Sequence, residues 1–228
     1  MQSAGSLRGA MPFRVKIIPP IRVADRDLQR RQRRYQARAA PDTQIAVCDL
    51  PDGPAMLYTP DDLAYCDAAV LRQGRATTPE QADAILVDCI FDPSVEALRA
   101  ETGLPVFGPL RTTLPLVSLV SSRFAVIAAL ACHCEPLVEL IRRYGYSASL
   151  VTVRSLGDSY PETAEDYVAA MQEQLAAVRQ DGAEVVVMGS TTMSVRDEIR
   201  VAAGGMPLFL TGMVTLGVME SMWRDGLL

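Results

Sequence analysis

Short β-branched runs alternate with longer helical stretches along almost the whole chain. FRVKII at 13–18 reads as a first strand, closed by Pro19-Pro20. Residues 25–39 have helical composition, and TQIAVCDL at 43–50 is a second strand. A helix is predicted over 61–73, with Thr59 or Asp61 near its N-cap. The third strand covers 84–88. A short helix over 93–102 should open on Pro93 and leave through Gly103. A strand over 105–107 and a helix over 108–122 follow. RFAVIAA at 123–129 then restarts the pattern, with a helix over 135–144, a strand over 147–153 and a long helix over 160–180. Strands over 185–188 and 208–210 flank a helix over 194–203, and a final helix runs over 211–223. Strands and helices alternating at this spacing predict parallel sheets with helical cover. Residues 1–11 read as irregular.

The chain also repeats itself. Ala-Asp-Ala-Ile-Leu-Val-Asp-Cys, ending at Cys89, leads to a second apolar run opened by Pro105. Ala-Glu-Val-Val-Val-Met-Gly-Ser, ending at Ser190, leads to one opened by Pro207. The offset is 101 at Cys89/Ser190 and 102 at the prolines. The restart at residue 123 parallels the strand at 13 at an offset of about 110. A duplication this long predicts an α/β fold of two pseudo-symmetric lobes, each a small parallel sheet flanked by helices. Lobe one is expected over 12–112, completed by the C-terminal helix 211–228, and lobe two over 113–210. Cys89 and Ser190 then stand just past the carboxyl ends of equivalent buried strands. Ligands bind at that edge of open α/β sheets, so the active site is expected in the cleft between the lobes.

Composition narrows the class. The net charge of -5 argues against a nucleic-acid or membrane partner for the whole chain. Residues 1–10 lack the basic start, apolar core and small-residue cleavage site of a secretory leader. The apolar stretch 113–132 is interrupted by Pro115, three serines and Arg123, so it is no membrane span. Five cysteines without framework spacing read as reduced thiols of a cytoplasmic protein. The arginines at 30, 31, 33 and 34 read as a solvated helix face rather than an anion site. Cys132-His133-Cys134 is not expected to hold a metal. In an extended chain His133 would point away from both sulfurs, and no second pair completes a tetrahedral set.

On Cys89-Ile90-Phe91-Asp92-Pro93 and Gly189-Ser190-Thr191-Thr192-Met193, the chain resembles the aspartate/glutamate racemase superfamily, and within it the hydantoin racemase branch. The first motif is similar to that branch's Cys-x-x-Asp-Pro, and the second to its Gly-Cys-Ala-Gly-Met. The resemblance covers about residues 13–224. It implies a racemase or isomerase without metal or pyridoxal cofactor. Two thiols face each other across a small substrate, and one removes a proton next to a carbonyl while the other returns one on the opposite face. Backbone N–H groups at helix N-termini would stabilise the enolate-like charge. A homo-oligomer is likewise implied by the resemblance alone.

The sequence departs from that pattern where the second cysteine maps onto Ser190. An alcohol is far less acidic than a thiol of pKa about 8.5. Three readings stay open. Ser190, with Thr191 or Thr192, relays a proton slowly. One thiol suffices, as in a decarboxylation, isomerisation or elimination. Or Cys89 attacks as a nucleophile in hydrolysis or in C–S or C–N cleavage, with Ser190 donating a hydrogen bond. A small-molecule binding protein without catalysis is the remaining alternative. Ile90 and Phe91 stand where amino-acid racemases of the superfamily carry Asn-Thr, which suits a flatter, less charged substrate, a hydantoin-like ring or related acid. Pro19, Pro20 and Ile21 stand where an Asn-Pro-Asn run is usual, and Arg22 nearby would supply an anion contact instead. Asp92, Thr112, His133, Thr191 and Thr192 complete the expected substrate-binding set. The helix start around Asp92–Ser94 is expected to lower the pKa of Cys89 and hold it as a thiolate.

Overall fold

The structure, a computed structural model, describes residues 12–228; the reading of 1–11 as irregular lies outside it. The described chain divides into two compact units. One holds the chain up to Pro109 together with Gly212–Leu228, and the other holds Leu110–Thr211.

In the first unit β1 (Phe13–Ile18), β2 (Thr43–Val47), β3 (Ala84–Val87) and β4 (Val106–Phe107) form a parallel sheet in the order β2-β1-β3-β4. Its helices are α1 (Asp25–Gln36), α2 (Pro60–Arg75) and α3 (Val95–Thr102). α4 (Pro109–Ser118) lies almost wholly in the second unit. That unit has β5 (Phe124–Ala128), β6 (Leu150–Ser155), β7 (Val185–Gly189) and β8 (Leu208–Phe209) in the order β6-β5-β7-β8, also parallel. Its other helices are α5 (Cys134–Arg143), α6 (Ala164–Gln180) and α7 (Asp197–Ala203). The last helix, α8 (Thr211–Arg224), belongs mainly to the first unit. There Leu216 and Met219 are buried against Phe13, Val15 and Leu86, and Trp223 stacks on Phe13 at 4.9 Å.

The two sheets share one topology, and the duplication is visible in the register. Ile85 pairs with Val106 in one and Val186 with Leu208 in the other, the offsets of 101 and 102 read from the sequence. Val15 and Phe124 pair at equivalent places, an offset of 109. Even single bonds recur. The Ile85 N–H donates to Pro105 O and the Val186 N–H to Pro207 O, both at 2.9 Å.

The inner strands β3 (AILV) and β7 (VVVMG) are buried at every position, because helices cover both faces of a parallel sheet. The elements start where cap chemistry allows. Thr59 closes a capping box with Asp62 ahead of Pro60, and Thr163 accepts the Asp166 N–H at the head of α6. That cap sets the start of α6 at 164 rather than 160.

Three local expectations are corrected. α3 does not open on Pro93; its N-cap is Ser94. Residues 131–133 form a 3-10 turn leading into α5, so Cys132-His133-Cys134 is not extended. And the arginine run of α1 is not all solvated: Arg31 is buried, paired with Asp88. Among the described residues no helix is long and apolar enough to cross a membrane.

Candidate functional site

At the end of β3 the chain turns at once. The Asp88 N–H donates to Ile18 O at 2.8 Å, and the Cys89 N–H donates back to Val87 O at 2.8 Å, closing a three-residue turn centred on Asp88. The Asp92 N–H then donates to Cys89 O at 3.1 Å. Asp92 and Ser94 both lie in the left-handed region, with φ of 50° and 55°. Among the described residues they are the two non-glycine positions with positive φ. Such strain costs of order 1–3 kcal/mol each and persists only where the surroundings impose it.

Those surroundings are visible. Asp67 on α2 accepts the Ser94 N–H at 2.6 Å, and its carbonyl accepts the Ser94 hydroxyl at 2.8 Å. Asp92 is buried against Gly108, where a Cβ would fall 2.5 Å from the Asp92 carboxyl. The residue after β4 is therefore glycine because the Asp92 side chain lies on its backbone. Asp67 and Gly108 were not singled out from sequence. The glycine after a Pro-led strand is the one signal that points to such a close approach.

Cys89 is 4% exposed and packs in the core formed by Cys66, Val87, Val95 and Leu98. Burial pushes its pKa well above the usual thiol value. Hydrogen bonding to Cys66 and the charge of Asp92 add to this, and the Phe91 N–H pulls the other way. The expected thiolate is thus overturned. The helix that was to stabilise it starts at Val95, beyond the two strained residues. Ile90 is buried, and Phe91 is half-buried against the same core. Pro19 is buried at the end of β1, the neighbour of β3, and Arg22 is exposed with its N–H on Pro54 O. Pro19 and the Cys89–Asp92 turn thus share the carboxyl edge of the first sheet.

In the second unit Ser190 follows β7. Its hydroxyl lies 2.9 Å from that of Thr192 and accepts the Thr192 N–H at 3.3 Å. Its carbonyl accepts the Met193 N–H at 3.2 Å, and Thr191 and Met193 are buried. Tyr167 on α6 fixes the far end of the loop. Its hydroxyl donates to Ser194 O at 2.8 Å and accepts the Ser194 N–H at 3.1 Å. Sequence reasoning missed Tyr167, since nothing local marks it. His133 is buried in the turn after β5, the strand beside β7. So Ser190–Thr192 and His133 share the carboxyl edge of the second sheet. Thr112 is half-buried in the first turn of α4. Among the described residues no three His, Cys, Asp or Glu side chains gather as a metal set.

Past an inner strand of each sheet, then, stands a thiol or a hydroxyl, buried at Cys89 and half-buried at Ser190, in a loop held by hydrogen bonds from neighbouring elements. Comparison with known proteins gives this a context. The Asp/Glu/Hydantoin racemase family matches residues 28–215. A hydantoin racemase of Pseudomonas sp. (strain NS671) is 27% identical over 163 residues, covering 70% of this chain and 66% of that protein, just under two thirds of its length. Among solved structures, allantoin racemase from Pseudomonas fluorescens superposes with a TM-score of 0.82 at 21% identity, covering 94% of this chain and 92% of that one. A liganded double mutant of arylmalonate decarboxylase, with cysteine in place of a glycine and serine in place of a cysteine, superposes with a TM-score of 0.68 at 18% identity, covering 95% and 94%.

Proposed function

The chain belongs to the Asp/Glu/Hydantoin racemase family, a family of isomerase-type enzymes, and from that premise we propose that Cys89 exchanges a proton at the carbon next to a carbonyl of a small hydantoin-like or related acid. The observation that carries this reading is the placement of Cys89. It is the thiol past the fully buried inner strand β3, in a turn with two left-handed residues fixed by Asp67 and Gly108. Strain imposed by several partners is a common mark of functional loops.

The raised pKa fits one half of the task. A protonated thiol gives its proton to the carbanion-like carbon and is left as the thiolate, which takes a proton back in the reverse direction. Ser190, by the family pattern, would act as a hydrogen-bond donor and slow proton relay through Thr192. The hydantoin racemase relatives support a cyclic imide-like substrate, and the apolar Ile90 and Phe91 are consistent with it.

A second reading has its own observation. Ser190, not a thiol, stands at the second position, its hydroxyl hydrogen-bonded to that of Thr192. One acid/base thiol suffices for decarboxylation, and the arylmalonate decarboxylase double mutant is similar in fold. Deuterium wash-in over a panel of chiral hydantoins, allantoin and α-aryl acids separates the two. Exchange with inversion supports the racemase. Exchange with retention, or gas release from an aryl malonate, supports the one-thiol reaction. Tight binding without exchange of any carbon acid sinks both.

A further inference from the structure

We propose that Asp88, clamped by Arg31 and Tyr35, is a positioning residue that holds the turn presenting Cys89. The Asp88 side chain is 1% exposed. One oxygen takes Arg31 Nη1 at 2.7 Å and the other takes the Tyr35 hydroxyl at 2.6 Å. Arg31 is in turn fixed by Asp27, whose carboxylate accepts its Nε at 3.0 Å and also holds Arg30. Both clamping groups come from α1, 57 and 53 residues before Asp88. Burying this much charge is costly unless every member is paired, as here.

The repeat shows that the fold itself does not demand the arrangement. At the equivalent place before Ser190 stands Gly189, where a Cβ would meet Ile127 O at 2.7 Å and the Ala128 Cα at 2.8 Å. The twin half therefore ends its strand with no side chain at all. The first half carries a carboxylate there, and it is the half with the thiol. Asp88 is the centre of the turn closed by the Cys89 N–H on Val87 O. The Asp88 side chain reaches α1 and Tyr35, in the core with Phe13 and Leu86. The Cys89 side chain enters the opposite core with Cys66. Pulling Asp88 to one face fixes the direction in which the next residue leaves on the other.

This rests on Cys89 as the reacting thiol, so the test has one readout that needs no turnover. Asp88→Ala, Asp88→Asn and Tyr35→Phe are compared with the parent protein. Iodoacetamide labelling of Cys89 in the folded protein is followed by mass spectrometry, with Cys66 as the internal control, and kcat and KM are measured on the best substrate of the panel. Local loosening exposes Cys89 alone, whereas global opening exposes both thiols. Expected for Asp88→Ala is at least a roughly fivefold faster labelling of Cys89 with Cys66 unchanged, and a kcat lower by roughly 10–100-fold at nearly constant KM, the cost of a misplaced reacting group. Tyr35→Phe, which leaves the ring in its core, should move both in the same direction by less, and Asp88→Asn should recover part of the loss. Parallel labelling of Cys89 and Cys66, or unchanged labelling and kcat in Asp88→Ala and Tyr35→Phe, overturns the proposal. If the parent turns over none of the panel, the labelling pattern still decides on Asp88, and only the assigned reaction fails.

Discussion

Cys66 and Cys89 pack in one apolar core, 1% and 4% exposed. They come from a helix and from a strand end 23 residues on. The arrangement favours a thiol over a thiolate in the turn after β3. Burial disfavours the charge, and the neighbouring Cys66 pushes the pKa of Cys89 in the same direction.

Labelling order follows from that. Cys132 is exposed and should react first with iodoacetamide near pH 7, while Cys89 reacts slowly and gains speed as the pH climbs. Peptide mapping at short times checks this. Cys89 labelled ahead of Cys132 at neutral pH would show that the sulfur is ionised after all. A substrate analogue that fills the site should suppress the Cys89 reaction further.

Stability should fall on the alkaline side. Cys89, Cys48 and Cys134 are all raised chiefly by burial, and Tyr35 is raised by burial and by Asp88. For such groups the stabilisation is complete below the unfolded-state pKa, about 8.5 for a thiol and 10 for a phenol. It is lost as the pH rises toward the folded-state values, because the unfolded chain releases protons that the folded chain keeps. Thermal melts from pH 7.5 to 10.5 should show a steadily falling Tm. The slope should be shallower in Cys89→Ala. A flat profile would contradict the burial argument.

Two glycines should respond with opposite sign. Gly189→Ala drives a methyl into the backbone of β5 and should cost about 1–3 kcal/mol. Gly217 is exposed in α8, with open space where a methyl would stand, and should gain about 0.5–1 kcal/mol as alanine. At roughly 2–4 °C per kcal/mol for a chain of this size, both are readable in a melting curve.

What was legible in the sequence was what lies within one element or one repeat. AILV and VVVMG announce buried parallel strands, and the shared offset of Cys89 and Ser190 announces equivalent strand ends. Gly103 closes α3 in the left-handed region, as its position suggests. What was not legible depends on partners far along the chain. Arg31 looks like its neighbours in the run, and only Asp88, 57 residues on, makes it a core residue. Pro93 looks like a helix start, but Asp67 and Gly108 hold Asp92 and Ser94 in conformations that delay the helix to Val95. The thiolate expectation failed for the same reason: it counted the local helix and not the core around the sulfur.

Ser190→Cys restores the second thiol of the family pattern and separates the reactions. A thiol at this position can exchange protons where the alcohol is a poor base, and a positioned acid/base group is typically worth 10²–10⁴-fold. The new sulfur loses the short hydroxyl bond to Thr192, so the loop, held at Ser194 by Tyr167, should keep its fold and its melting temperature to within a few degrees. If the native reaction uses Cys89 alone, the variant should gain inversion on substrates with an acidic α-proton while the native activity falls or stays level. If Ser190 already relays protons in a racemisation, inversion of the native substrate should rise. Measuring circular dichroism decay together with deuterium content gives both rates from one sample. A variant that folds, binds the carbon acids of the panel, and shows neither exchange nor inversion would rule out proton transfer and leave nucleophilic attack by Cys89, or binding alone, as the chemistry of this site.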